Sequence, residues 1–167
     1  LTPKQGWERV DKLIAKNQPV REVYSRLQQL AGKRTLVDKT VPYALNMNTL
    51  ERTETLFKNP KHVYITRHPY SVIESCLRMR IDKLLNPARF EKPDIDPYAV
   101  AEFIWKRFNE NINRFLEQVD SERWKIVQYE TLVNDPANAM AGICEFLEIP
   151  FDEAVLNPYD GRRERMI

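Results

Sequence analysis

One stretch constrains the fold of this chain more than any other: His62-Val63-Tyr64-Ile65-Thr66-Arg67-His68-Pro69-Tyr70-Ser71-Val72-Ile73-Glu74-Ser75. Val63, Tyr64 and Ile65 suit a pleated, covered surface, and Pro69 suits the first helical position because its missing N–H costs nothing there. The stretch therefore reads as a short buried strand, a tight corner at Arg67 and His68, and the start of a helix. In open α/β sheets ligands gather at the carboxyl ends of strands, and the free N–H groups and positive dipole of the next helix favour an anion there. Arg67 adds a permanent forked cation and Ser75 a hydroxyl two turns into the helix, so the pair could grip one phosphate from two sides. The bland alternative is a surface arginine and a packed helical serine.

The rest of the chain supplies layers for such a strand. Trp7, Val10, Leu13 and Ile14, then Val20, Val23, Tyr24, Leu27 and Leu30, describe two amphipathic helices parted near Asn17-Gln18-Pro19, and Gly32 stops the second. Arg34-Thr35-Leu36-Val37-Asp38 is a strand candidate, and the Lys39–Tyr43 loop leaves its end. Asn48 is placed to cap a helix through Phe57, with Glu51 completing a capping box. The helix after Pro69 carries apolar positions as far as Leu84 and Leu85, and the charged, proline-rich loop 91–97 is either a mobile surface segment or a lid. A long helix with an apolar stripe runs from Tyr98 to Val119, and Trp124–Tyr129 is the third strand candidate, followed by polar turn residues. Asp135-Pro136 starts a last long helix, and a short helix and a basic ending at Arg162, Arg163 and Arg165 close the chain. Strands with helices before, between and after them predict an α/β fold, a three-layer α/β/α sandwich on a parallel sheet.

Composition narrows the function. A length of 167 residues with 43% hydrophobic fits one domain over 1–167 with a real core. Lys and Arg total 26 against 24 Asp and Glu, which argues against wholesale nucleic-acid binding and leaves any anion site to local placement. Cys76 and Cys144 sit in apolar helical patterns and fit reduced core thiols of a cytosolic protein; the sequence does not decide between that and a disulfide. No apolar run is long enough to span a bilayer, so no membrane partner is expected. Two histidines, His62 and His68, exclude a histidine-rich metal site. The start, Leu1-Thr2-Pro3-Lys4-Gln5, has no signal-peptide pattern and reads as a point within something longer.

Four stretches together carry a family resemblance: Leu36–Leu45, Tyr64–Ser75, Val127–Pro136, and Phe146–Phe151 with Pro158–Gly161. They resemble the sulfotransferases that use 3′-phosphoadenosine 5′-phosphosulfate (PAPS), and most of all the sulfotransferase domains of bacterial, notably cyanobacterial, polyketide synthases. The resemblance implies a P-loop-NTPase-like fold and assigns Arg67 and Ser75 to the 3′-phosphate of the nucleotide. It places Lys39 near the transferred sulfonyl group, Tyr129 beside the adenine, and Arg162 and Arg165 in a basic loop that closes on the 3′-phosphate. A solvated loop lysine, a packed strand-end tyrosine and a solvated terminus are the plain readings of these residues. The family's Gly-rich phosphosulfate loop is absent from this sequence and is expected upstream of Leu1. At the position of the catalytic histidine of cytosolic members stands Val41, so the general base lies elsewhere, a Glu or His in the segment expected upstream of Leu1 or else His68, the histidine nearest the presumed site, which either serves there or orders its own corner.

The activity implied is in-line sulfonyl transfer from PAPS to a hydroxyl, with no metal. In the polyketide-synthase branch the acceptor is a β-hydroxyl on an acyl chain held by an acyl carrier protein, ahead of a thioesterase. Two other readings stay open at this point: a kinase-like nucleotide phosphotransferase, and a non-catalytic docking fragment of a synthase. The 167 residues alone are expected to be inactive or nearly so.

Overall fold

The computed structural model describes residues 8, 11–13, 15–80 and 96–157. Apolar spacing places the first element: Val20, Val23, Tyr24 and Leu27 form one stripe of helix α1, Val20–Ala31. Gly32 ends it at φ 64°, a left-handed backbone that glycine adopts without a Cβ penalty. Of the helix expected before Asn17, residues 8, 11–13 and 15 are helical, while Trp7, Val10 and Ile14 lie outside the described residues. The strand expected over 34–38 does not form. Gln28 Nε2 instead donates to the carbonyls of Gly32 and Arg34, at 3.0 and 3.1 Å, and the segment stays irregular with local bonds.

A 3-10 turn, Val41–Leu45, leads into helix α2, Met47–Leu56. Its cap is Asn46, whose Oδ1 accepts the Asn48 N–H at 3.0 Å. Asn46 has the extended backbone that a cap needs, whereas Asn48 already lies inside the helix, so the expected box with Glu51 is not made. Strand β1, His62–Thr66, and helix α3, Pro69–Arg78, stand where the opening stretch puts them. Helix α3 stops before Leu84 and Leu85, which lie outside the described residues with most of loop 91–97. Helix α4, Pro97–Leu116, is capped by Asp96. Strand β2, Trp124–Gln128, runs directly into helix α5, Tyr129–Asn134, where polar turn residues were expected. Helix α6, Pro136–Leu147, is capped by Asp135 as the Asp-Pro pair predicts, and a 3-10 turn, Glu153–Leu156, follows.

The two strands are parallel, with His62 opposite Trp124 and Thr66 opposite Gln128. Parallel neighbours need a long crossover, here the passage through α3 and α4. His62, Tyr64 and Trp124 share one face and meet the end of α4, where Phe115 and Leu116, with Val119 just beyond the helix, form the buried cluster. Each large side chain so buried contributes about 1.5–3 kcal/mol. On the other face Val127 is buried and Gly142 of α6 brings its backbone near Lys125. The sheet therefore has a helix layer on each side, as the sequence predicts. Cys76 and Cys144 are both buried and free. No helix among the described residues is long and apolar enough to cross a membrane.

Candidate anion-binding site

Parallel register decides which residues meet at the corner. Because Thr66 faces Gln128, the residues that leave the two strands, Arg67 and Tyr129, emerge side by side at one edge of the sheet. The Arg67 guanidinium carbon lies over the Tyr129 ring, 4.5 Å from its centroid. Attraction to the face of a ring holds a guanidinium without using up its N–H donors, which can still meet an anion. Among the described residues no carboxylate forms an ion pair with Arg67. Such a half-buried cation, oriented by a ring and unclaimed by a carboxylate, suits a phosphate or sulfate.

His68 is the residue before α3 and makes no side-chain cap. Its N–H donates to Glu130 Oε1 at 2.9 Å, and its exposed ring lies 5.4 Å from that of Tyr70. The His68 N–H, then the N–H of Glu130 itself, hold the Glu130 carboxyl below the usual carboxylate range, and the Arg67 charge acts in the same direction. Ser75 stands half-buried on the second turn of α3, its hydroxyl without a partner among the described residues. Arg162 and Arg165 lie outside the described residues.

Lys39 belongs to a second cluster. It is exposed and joined to the Arg67 corner by no hydrogen bond or ion pair among the described residues. Its neighbour Asp38 is heavily engaged: Tyr24 and Tyr43 donate their hydroxyls to Oδ2 at 2.6 and 2.9 Å, and Thr40 donates to Oδ1 at 2.7 Å. Burial alone would raise the Asp38 carboxyl, but these three donors outweigh it and hold it below its ordinary value, while the same contact pushes the Tyr24 phenol well up. An acid whose lone pairs are taken by three donors is a poor proton acceptor, so Asp38 organises the Lys39 loop and is no candidate for the base. The far end of that loop is pinned as well. Asn111 of α4, fully buried, donates its Nδ2 to the Ala44 carbonyl at 2.8 Å.

Arg67, His68 and Tyr129 thus come together, and Lys39 is placed on its own braced loop. Glu130, Asp38, Tyr24, Tyr43 and Asn111 escaped the sequence reading. Glu130 alone carried a signal, since it directly follows Tyr129 and parallel register would bring it to His68. An open hollow of about 390 Å³ on α4, lined by Arg107, Glu110, Asn111, Asn113 and Arg114, contains no expected site residue. Among the described residues no three His, Cys, Asp or Glu side chains gather as a metal site requires.

This geometry has close relatives. The sulfotransferase family matches residues 8–153, and the chain belongs to that family. Two solved structures are similar to it over 98% of its length. One is the sulfotransferase domain from the curacin biosynthetic pathway, 40% identical with a TM-score of 0.87; the other is that of the Synechococcus PCC 7002 olefin synthase, 39% identical with a TM-score of 0.84. The expected resemblance and the expected P-loop-like α/β/α fold are both borne out. The chain spans 56% and 55% of the lengths of those two chains. No curated protein gives a significant match.

Proposed function

We propose that residues 1–167 are the major C-terminal part of a single cytoplasmic sulfotransferase domain that takes PAPS as donor. The observation that carries this reading is Arg67, held over the Tyr129 ring at the N-terminal end of α3, its guanidinium without a hydrogen bond or ion pair among the described residues. Its fork and the Ser75 hydroxyl suit the 3′-phosphate of the nucleotide, and Tyr129 suits the edge of the adenine. Arg162 and Arg165 would add positive charge to the same phosphate.

Transfer forms a bond from the acceptor oxygen to sulfur as the bond from sulfur to the 5′-phosphate oxygen breaks, releasing adenosine 3′,5′-bisphosphate. Lys39 would offset negative charge on the sulfonyl and bridging oxygens, with its loop held still by Asp38 and Asn111. His68, exposed at the corner, is the histidine available to move the acceptor proton. Similarity to sulfotransferase domains of the curacin pathway and an olefin synthase supports a biosynthetic setting, and for this chain the acceptor proposed there is the β-hydroxyl of a polyketide acyl chain on an acyl carrier protein, with a thioesterase acting next.

The test is calorimetric binding of adenosine 3′,5′-bisphosphate and adenosine 5′-phosphate, with and without Arg67→Ala. The reading expects a preference for the bisphosphate of about thirtyfold or more, since a forked charge-assisted contact contributes about 2 kcal/mol, and expects Arg67→Ala to remove it. Equal binding of the two nucleotides by folded protein would sink the proposal.

A further inference from the structure

Glu130 occupies a place that the corner's own residues do not explain. It lies in the first turn of α5, after β2, yet its Oε1 accepts the N–H of His68, 62 positions earlier, at 2.9 Å. His68 is the N-cap of α3 and offers no side-chain cap, Pro69 has no N–H, and the third helical position is Ser71, too short to reach back to the cap. In a capping box the N-cap N–H is taken by a glutamate of the same helix. Here a glutamate of a different helix takes it.

Its neighbour Tyr129 carries Arg67 over its ring at 4.5 Å. The dipeptide Tyr129-Glu130 therefore holds Arg67-His68 twice, once by a ring face and once by a backbone bond. A carboxylate beside an anion site opposes the ligand electrostatically, so positional gain has to outweigh that opposition. The N–H groups of Tyr70 and Ser71, which no carbonyl within α3 can reach, have no acceptor among the described residues.

We infer that Glu130 is a positioning residue for the anion corner: by holding the His68 N–H it fixes the backbone from which Arg67 projects, so that Arg67 meets a phosphate already oriented. This rests on the reading of the corner as the 3′-phosphate site.

The experiment is calorimetry of adenosine 3′,5′-bisphosphate binding to the full chain as wild type, Glu130→Ala, Glu130→Gln and Arg67→Ala, with adenosine 5′-phosphate alongside. Glu130→Ala is expected to weaken the bisphosphate about tenfold, because a lost charged hydrogen bond leaves the corner to be ordered on binding. Glu130→Gln, whose amide oxygen still accepts from His68, is expected to bind within about twofold of wild type or more tightly. That rescue distinguishes positioning from charge. If Glu130→Ala binds as well as wild type, or Glu130→Gln fails along with it, the inference is overturned. Should Glu130→Ala not fold, the amide proton resonance of His68 decides: it moves as Glu130 titrates in acid and stays fixed in Glu130→Gln, and a wild-type resonance that ignores the titration overturns the inference. A wild type that does not prefer the bisphosphate, or an Arg67→Ala that keeps the preference, brings down the reading of the corner first and the inference with it. Failure confined to the Glu130 variants brings down the inference alone.

Discussion

The two ends of the same pair of strands are built on opposite principles. At the end where β1 begins, charges are joined in pairs: Arg123 Nη2 lies 2.5 Å from Glu54 Oε2, His62 Nε2 lies 2.8 Å from Glu54 Oε1, and Lys61 Nζ lies 2.6 Å from both Glu148 Oε1 and the Phe146 carbonyl. At the end where β1 stops, Arg67 rests on a ring, Ser75 has no partner among the described residues, and the carboxylate of Glu130 spends itself on a backbone N–H. Paired charges join α2, β1, α6 and the turn before β2, and that is what a stabilising end requires. An oriented cation without a counter-ion is what a binding end requires, because a carboxylate in its fork would have to be displaced before an anion could enter.

The largest effect expected from breaking this contrast is at Arg67. Arg67→Ala should cost about thirtyfold or more in bisphosphate affinity while the urea midpoint moves little, since Arg67 holds no other element by a hydrogen bond or ion pair among the described residues. Joint loss of affinity and stability would show that Arg67 is a structural clamp. The converse is expected at the other end. Glu54→Ala should lower unfolding free energy by about 2 kcal/mol, because it strands the partly buried Arg123 and His62, and should leave nucleotide affinity within about twofold. Urea unfolding with calorimetry on the same samples checks both halves.

Much of the binding end was legible because its information is local. A β-branched run, then Arg-His-Pro, then a helical apolar pattern specifies strand, corner and helix within fourteen residues, and β1 and α3 lie where that pattern puts them. The α/β/α layering followed from alternation of helices and strands. What stayed hidden depends on contacts and backbone angles that the local pattern does not encode. Leu36 and Val37 favour a strand by propensity, but no neighbouring strand among the described residues pairs with them, and Val37 is 80% exposed. Asp38 looked like the end of that strand, and only the fold brings Tyr24 and Tyr43 to its carboxylate. The shift of the α2 cap from Asn48 to Asn46 is a contest between two equally good caps, decided by backbone angles that composition does not reveal.

Acid should separate the two ends further. Burial raises the Glu54 carboxyl, but Arg123 and His62 outweigh it and hold it below its ordinary value. A carboxyl whose folded pKa is depressed contributes stability that is fully present above its unfolded value, about 4.3, and is lost as pH falls through the lower folded value. The stability gap between wild type and Glu54→Ala should therefore be steady above about pH 5 and narrow as pH falls below about 4. Unfolding curves of the two proteins across that range check it. A gap that survives at pH 2 would assign the loss to packing around the Glu54 stem instead of its charge.

The smallest expected effect tests whether the stabilising end works as one unit. Lys61 donates to the Phe146 carbonyl and to Glu148, and its ammonium also lies 5.3 Å from the centre of the Phe146 ring. Glu148 is 81% exposed at its side chain, so water and salt screen that pair, and the carbonyl contact is the part that holds α6 to the start of β1. Lys61→Met keeps the stem and removes the charge, and should lower Tm by about 2 °C, hardly changed by added salt. A larger loss that disappears in high salt would mean that the exposed Glu148 pair does the holding. Combined with Glu54→Ala, it should add, because the two clusters share no partner. A combined loss well short of the sum would instead show that Lys61 and Glu54 brace β1 through one common network, and that the paired end is a single device.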